Sequence, residues 1–409
     1  MTSSLLMHNI GTLATPLGIG PRAGKEQGEI LRLHNAYILI ENGCIAQIGT
    51  GIGPKAKKEV DAGGRLVTPG LIDSHTHLIF GGWRANELSL KLHGVPYLDI
   101  LAAGGGILST VQATREASLE ALKEKARPVL QRMLHRGVTA CEAKSGYGLD
   151  WEQEKKMLLT AKELDKEQPV ELISTFMGAH ALPPAYKQDR EAYIRLLIDE
   201  MLPRVKAEGL AEYCDVFCET GVFTPEESRK ILGLKCHSDE IDAIGGTQMA
   251  ASLHAVSCEH LIRCTEDGIA ALKAGGTIAC CLPATSFYLG ADYAPARKMI
   301  AAGVPVAFGS DFNPGSCPCD HLPLAMQIGC YRYRMTPEEC LCAVTLNAAA
   351  AVGRADRLGS LEEGKQGDMV LWETDSLEYL LYRFGTIPVR QVYKNGILAA
   401  ENKGETYAD

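Results

Sequence analysis

The chain has 409 residues, 46% hydrophobic and 22% charged, a balance that excludes disorder, collagen and a continuous coiled coil. Lys and Arg number 41 against 50 Asp and Glu, and the resulting net charge of −9 excludes a basic nucleic-acid-binding or anionic-membrane-binding face. No apolar run approaches the roughly 18–20 residues of a membrane span. Met1-Thr-Ser-Ser-Leu-Leu-Met-His8 also lacks the basic-then-apolar pattern of a secretory signal, so a cytoplasmic location is expected.

In chain order, residues 1–65 read as short strands separated by Gly and Pro, at 29–33, 36–40 and 44–48. From 66 to 355 the texture alternates. Eight short apolar runs (71–77, 138–145, 171–180, 213–219, 233–238, 255–260, 277–283 and 304–311) are separated by segments such as 117–136 and 150–166, whose apolar residues recur near a 3.6 spacing. Continuous apolar strands are expected where a parallel sheet is covered on both faces. Eight such repeats predict a (β/α)8 TIM barrel. Residues 356–409 return to strands at 368–372 and 389–393, with Lys394-Asn-Gly396 as a turn. The two ends are therefore expected to form one small β-sandwich domain. Fourteen cysteines include no C-x-x-C pair. Cys141, Cys236, Cys258, Cys280 and Cys281 lie in apolar runs as buried free thiols, and Cys317-Pro-Cys319 is a poor zinc clip.

The residues that end the runs carry the chemistry. The first run closes on His75-Thr-His77, the third on His180, the fifth on His237-Ser-Asp-Glu240, the sixth on His260 and the eighth on Asp311. In a barrel these ends share the C-terminal rim, where sites of this fold are built. On a strand, residues i and i+2 face the same side, so His75 and His77 both point into the mouth. Alone, His-x-His also fits a surface or core pair. With His237 and Asp311 on the same rim it predicts a three-imidazole, one-carboxylate shell for one Zn or Fe ion, which would bring the pKa of water to about 7. Glu240 lies beyond its strand, where it ferries a proton to a leaving nitrogen or stands as an exposed loop acid. His260 orients or deprotonates the water, or is a strand-end His bonded to backbone. Glu219 and Lys144 support either ion pairing or a second metal. Gly104-Gly-Gly106 lacks phosphate-loop spacing and reads as a mobile loop near the site.

Several blocks resemble the amidohydrolase superfamily and, within it, the imidazolonepropionases. They are Pro69-Gly-Leu-Ile-Asp-Ser-His-Thr-His77 with Arg84, Ala103-Gly-Gly-Gly-Ile107, Glu142-Ala-Lys-Ser-Gly-Tyr-Gly148 and Phe176-Met-Gly-Ala-His180. Cys218-Glu-Thr-Gly-Val-Phe223, His237-Ser-Asp-Glu240, Ser310-Asp-Phe-Asn-Pro-Gly-Ser316 and Gly359-Ser-Leu-Glu-Glu-Gly364 continue the match. The resemblance implies metal ligands His75, His77, His237 and Asp311 around one divalent Zn or Fe ion. It implies an anionic small-molecule substrate, 4-imidazolone-5-propanoate, opened by water to N-formimino-L-glutamate. Arg84 would hold the propanoate, Tyr147 and His180 would contact the ring, and Asn313, Gly315 and Ser316 would line the far side. Glu240, His260 and Asp311 would share the proton transfers, and a homodimer is the family expectation. The segment before His237 is about two helical turns shorter than the family pattern, which puts a gap or an exposed edge outside the barrel. A heterocycle deaminase of the same superfamily and a non-catalytic ligand-binding barrel are the competing readings.

Overall fold

The computed structural model describes residues 4–95, 105–231, 234–386 and 388–402. The chain opens with β1 (Ser4–Thr15), β2 (Leu31–Glu41), β3 (Cys44–Thr50), β4 (Lys58–Asp61) and β5 (Leu66–Pro69). The two strands expected at 29–33 and 36–40 are one. Pairing runs across Asn35 (φ 50°) in one register, with His34 facing Thr12 and Ala36 facing Ile10, and the ladder shifts by one residue only at Asn9 of β1 (φ 54°), between Met7 and Ile10. Asn tolerates the left-handed region, which is why a bulge replaces a break.

Gly70 then carries the chain out of this sheet; a Cβ there would lie 2.3 Å from Thr139 Oγ1, so no larger residue fits the corner. Eight parallel strands follow, each paired with its chain neighbours: β6 (Leu71–Asp73), β7 (Val138–Lys144), β8 (Glu171–Ala179), β9 (Tyr213–Cys218), β10 (Lys235–Ser238), β11 (Ser257–His260), β12 (Ile278–Cys281) and β13 (Val306–Phe308). The barrel closes just past the outermost strands, where His77 N donates to Phe312 O (2.9 Å) and Asp311 N to His75 O (3.0 Å). That closure sets the first and eighth runs side by side at the rim.

The helices outside follow their own periodicity. Leu119–His135 is capped by Ser118, which accepts from Ala121 N, and buries Leu122, Ala126, Val129, Leu130 and Met133. Trp151–Glu167 is capped by Asp150 and buries Met157, Leu158, Ala161 and Leu164. The shortened segment contains a helix of seven residues, Pro225–Ile231, and residue 233 of the fifth run lies outside the described residues. β10 pairs with β9 and β11 through Cys236, opposite Val216 and Cys258, so the strand order is intact across this segment.

The last strands, β14 (Met369–Trp372), β15 (Val389–Lys394) and β16 (Ile397–Glu401), join the opening ones, β14 running antiparallel to β5. Asn395 and Gly396 both take positive φ, the signature of a two-residue primed hairpin turn. Alternate side chains from both chain ends (Met7, Ile38, Ile40, Val67, Met369, Leu371) pack into one core. All fourteen cysteines are free, and the five assigned to apolar runs are buried. Among the described residues no helix is long and apolar enough to cross a membrane.

Candidate metal centre and active site

His75 and His77 project from the extension of β6, His237 from β10 and Asp311 from just beyond β13, all essentially buried. His237 Nε2 lies 3.3 Å from His77 Nε2, while Asp311 Oδ1 lies 3.5 Å from His75 Nε2 and 3.9 Å from His77 Nε2. Ring nitrogens of His75, His77 and His237 fall within 4.8 Å of one another, as do donor atoms of His75, His260 and Asp311. Asp311, His260 and Asp239 have φ of 54°, 69° and 54°, so the rim holds non-glycine residues in a sparsely populated region.

The imidazoles rest on charges inside the barrel. His75 Nδ1 bonds Glu259 Oε2 at 2.8 Å, and His237 Nδ1 lies 3.0 Å from Asp215 Oδ2. Lys144 pairs with Asp215 (2.6 Å) and Glu142 (2.9 Å), and Lys235 with Glu142 (3.2 Å) and Glu259 (3.5 Å), all with fully buried side chains. Burial works against ionising Asp215 and Glu259, but His237 and Lys144 beside the first, and Lys235 and Lys144 beside the second, hold both below the usual carboxylate range. Lys144 therefore belongs to this ion network. Asp215, Glu259 and Lys235 are site residues missed by the reading of run ends. Their signal was a charge inside an apolar strand, affordable only with a buried partner.

Burial holds the pKa of His75, His77 and His260 well below the histidine range, reinforced by Lys144, His180 and His237 respectively. Neutral imidazole is the form that binds a metal. The buried His75 Nε2 has no hydrogen-bond partner among the described residues and faces Asp311, while two Nε2 atoms of His77 and His237 nearly touch. A divalent cation satisfies all of these donors at once, so the residues fit a bound metal. Burial also raises Asp311 to about 6, against a 2.6 Å hydrogen bond donated by Thr285 Oγ1, another residue the motifs did not single out.

Glu240 is partly buried, its Oε2 3.6 Å from His260 Nε2, and burial, followed by the charges of Asp311 and Glu219, pushes it up to about 8. A carboxyl poised there holds a proton near neutral pH. Glu219 holds no ion pair with Lys144; it accepts backbone hydrogen bonds from the loop that bears Glu240.

On the other side, His180 stacks on His77 at 4.7 Å between centroids and 13° between planes, with Tyr147 5.2 Å from His180. His180 Nδ1 lies 3.1 Å from Gly146 O, which directs its other nitrogen into the mouth. Burial lowers the His180 pKa to about 3. The Tyr147 loop is held from beneath by buried Glu154, which accepts from the N–H of Gly146, Gly148 and Leu149 at 3.0, 2.7 and 2.8 Å. Arg84 packs its guanidinium on Gly315, where a Cβ would stand 1.3 Å from Nη2. Asn313 is the knot of that loop. Its Oδ1 accepts from Gly315 N and Ser316 N (2.8 and 2.7 Å), and its Nδ2 donates to Asp311 O and Ser316 Oγ (both 2.8 Å). Residues 103–104 of the glycine-rich block lie outside the described residues; Gly106 N donates to Glu87 Oε1 at 2.6 Å and opens the helix Ile107–Glu116.

Residues 226–398 and 58–102 match models of the amidohydrolase family. The fold is similar to that of atrazine chlorohydrolase from Arthrobacter aurescens TC1 complexed with zinc. There the TM-score is 0.74 at 19% identity, covering 99% of this chain and 97% of that one. A Xaa-Pro dipeptidase with bound methionine gives 0.70 at 15% identity over 98% and 100%. A closed parallel barrel with His-x-His, a third histidine and an aspartate meeting at its mouth is the architecture of an amidohydrolase, a class that works with a divalent metal. The chain is 48% identical to the imidazolonepropionase of Streptococcus sanguinis over 98% of its length and 99% of the relative's, and 49% identical to that of Fusobacterium nucleatum over 97% and 99%. It belongs to the imidazolonepropionase family.

Proposed function

We infer that the chain hydrolyses the ring C–N amide bond of 4-imidazolone-5-propanoate to N-formimino-L-glutamate, a step of histidine degradation. The observation that carries this is near-full-length identity of almost one half to proteins named for that activity. His75, His77, His237 and Asp311 would hold the ion, Zn or Fe, and its Lewis acidity would bring a water proton within reach of a carboxylate at neutral pH. The protein's own residues supply the rest. Arg84 receives the propanoate, giving an acidic protein a local cation for an anionic substrate. Tyr147 and His180 form an aromatic wall along the ring, and the Asn313 loop keeps Gly315 and Ser316 at the far side. One water adds across the ring amide: its oxygen joins the carbonyl carbon, one of its protons passes to the Glu240, His260 and Asp311 group, and as the C–N bond breaks that group returns a proton to the leaving nitrogen. A homodimer, expected from the family resemblance, and a cytoplasmic location, expected from the sequence, belong to this reading.

Incubation with 4-imidazolone-5-propanoate should consume it and yield N-formimino-L-glutamate one for one. Ammonia released from a purine or pyrimidine, with imidazolonepropionate untouched, would overturn the assignment in favour of a deaminase.

A further inference from the structure

We propose that Glu219 is a positioning residue that holds the Glu240 carboxyl at the metal centre by gathering the backbone of its loop. Glu219 follows β9, is 1% exposed, and is itself fixed by a tight turn in which its N–H donates to Phe223 O (3.0 Å) and its carbonyl accepts from Val222 N (2.9 Å). Its side chain crosses to the loop after β10. Oε2 accepts from Glu240 N (3.0 Å) and Ile241 N (2.9 Å); Oε1 accepts from Asp242 N (3.0 Å) and from Thr220 N (2.9 Å).

Four donors thus meet the four lone-pair sites of one ionised carboxylate, two on each oxygen. Three of those donors are consecutive amides beginning at Glu240, and left without an acceptor they would pull that backbone towards water. The loop enters this arrangement through Asp239 at φ 54°, where Asp239 O accepts from Arg263 N (2.7 Å) and Asp239 Oδ2 from Thr247 Oγ1 (2.8 Å). The root of the loop is therefore tied to the barrel on one side, and Glu219 ties its crest on the other. The outcome is the placement of Glu240 Oε2 3.6 Å from His260 Nε2. A glutamine cannot do the same: one oxygen accepts two N–H groups, and its amide N–H would face the other two.

This inference rests on the reading that Glu240 moves a proton in the hydrolysis, and the experiment separates the two. Purified metal-loaded enzyme is compared as wild type, Glu219→Gln, Glu219→Asp, Glu240→Gln and the Glu219→Gln/Glu240→Gln double variant, by kcat, KM and bound metal per chain. Expected are a fall in kcat of about 10²–10⁴-fold for Glu240→Gln and of about 10²-fold for Glu219→Gln, with KM and metal content near wild type. The Asp variant, which keeps both oxygens one methylene short, should fall between Gln and wild type. The double variant should be no slower than Glu240→Gln, because a positioning residue has nothing left to position. Additive losses, or wild-type kcat in Glu219→Gln beside a slow Glu240→Gln, would overturn the proposal while leaving the proton role of Glu240 standing. Full kcat in Glu240→Gln would overturn that role and the proposal with it. Should Glu219→Gln not fold, Glu219→Asp alone and combined with Glu240→Gln gives the same comparison.

Discussion

At the N-terminal end of the barrel, Glu171 opens β8 with Arg354 and Arg357 bonded to its carboxylate and Lys394 of β15 at 3.7 Å. At the C-terminal end, Asp311 lies buried beside imidazoles, one of which leaves its Nε2 without a hydrogen-bond partner among the described residues. Both carboxyls feel a burial cost that raises their pKa. At Glu171 the hydrogen bonds from Arg357 and Arg354 outweigh it and bring the value down to about 2, whereas at Asp311 burial prevails and the value stands at about 6. The lower end spends its charges on one another and joins the barrel to the terminal sheet. The upper end keeps donor atoms in reserve for a cation, and a bound cation reverses the local preference for the protonated acid.

The sharpest way to break this contrast is at Asp311. Asp311→Asn should leave less than one metal per chain and lower kcat/KM by more than about 10³-fold, the equivalent of several kcal/mol of lost charge stabilisation. Metal analysis and kinetics check both, and the fold should persist by circular dichroism. One step further from the ion, Glu259→Gln removes the negative charge behind His75 Nδ1 and leaves one acceptor oxygen where His75 and Ser257 now use two, which should weaken metal affinity about 10–100-fold, measured by competition with a chelator. At the substrate side, Gly315→Ala pushes a methyl group into the Arg84 guanidinium, whose end can swing away. The KM for imidazolonepropionate should rise roughly tenfold, the lower end of what a charge-assisted hydrogen bond contributes, with metal content unchanged. The smallest effect belongs to the lower end. Glu171 has a folded pKa depressed from 4.5 to about 2, so its contribution to stability is full above pH 4.5 and fades as the pH falls through the folded value. Glu171→Gln should therefore melt about 2 °C below wild type at pH 6, and that difference should close as scans approach pH 2, with metal binding untouched.

Much of the barrel is legible along the chain because each strand is a short apolar run that ends where its chemistry begins. His75 and His77 could be paired from a period of two, and His237, His260 and Asp311 from their positions at run ends. The charges in mid-strand were harder. Asp215, Lys235 and Glu259 each look like an exception inside an apolar run, and only the folded barrel shows what neutralises them: Lys144 and His237 meet Asp215, and Lys235 meets Glu142 and Glu259. Asn313 illustrates the same limit from the other direction. Its place in a motif gives no sign that its amide also organises the loop bearing Gly315 and Ser316.

The order of the strands, the residues at their ends and the kinship with amidohydrolases were determined by the linear sequence, since helix and strand periodicities and run lengths are local properties. The tertiary structure decided which groups touch. When the eighth strand returns to the first, Asp311 N bonds His75 O and the imidazoles come within reach of one cation. It also decided that Glu219, read from the linear chain as an ion-pair or second-metal candidate, receives the amides of the loop beyond β10. Such pairings depend on the closure and register of all eight strands together, and no local window of residues contains that information.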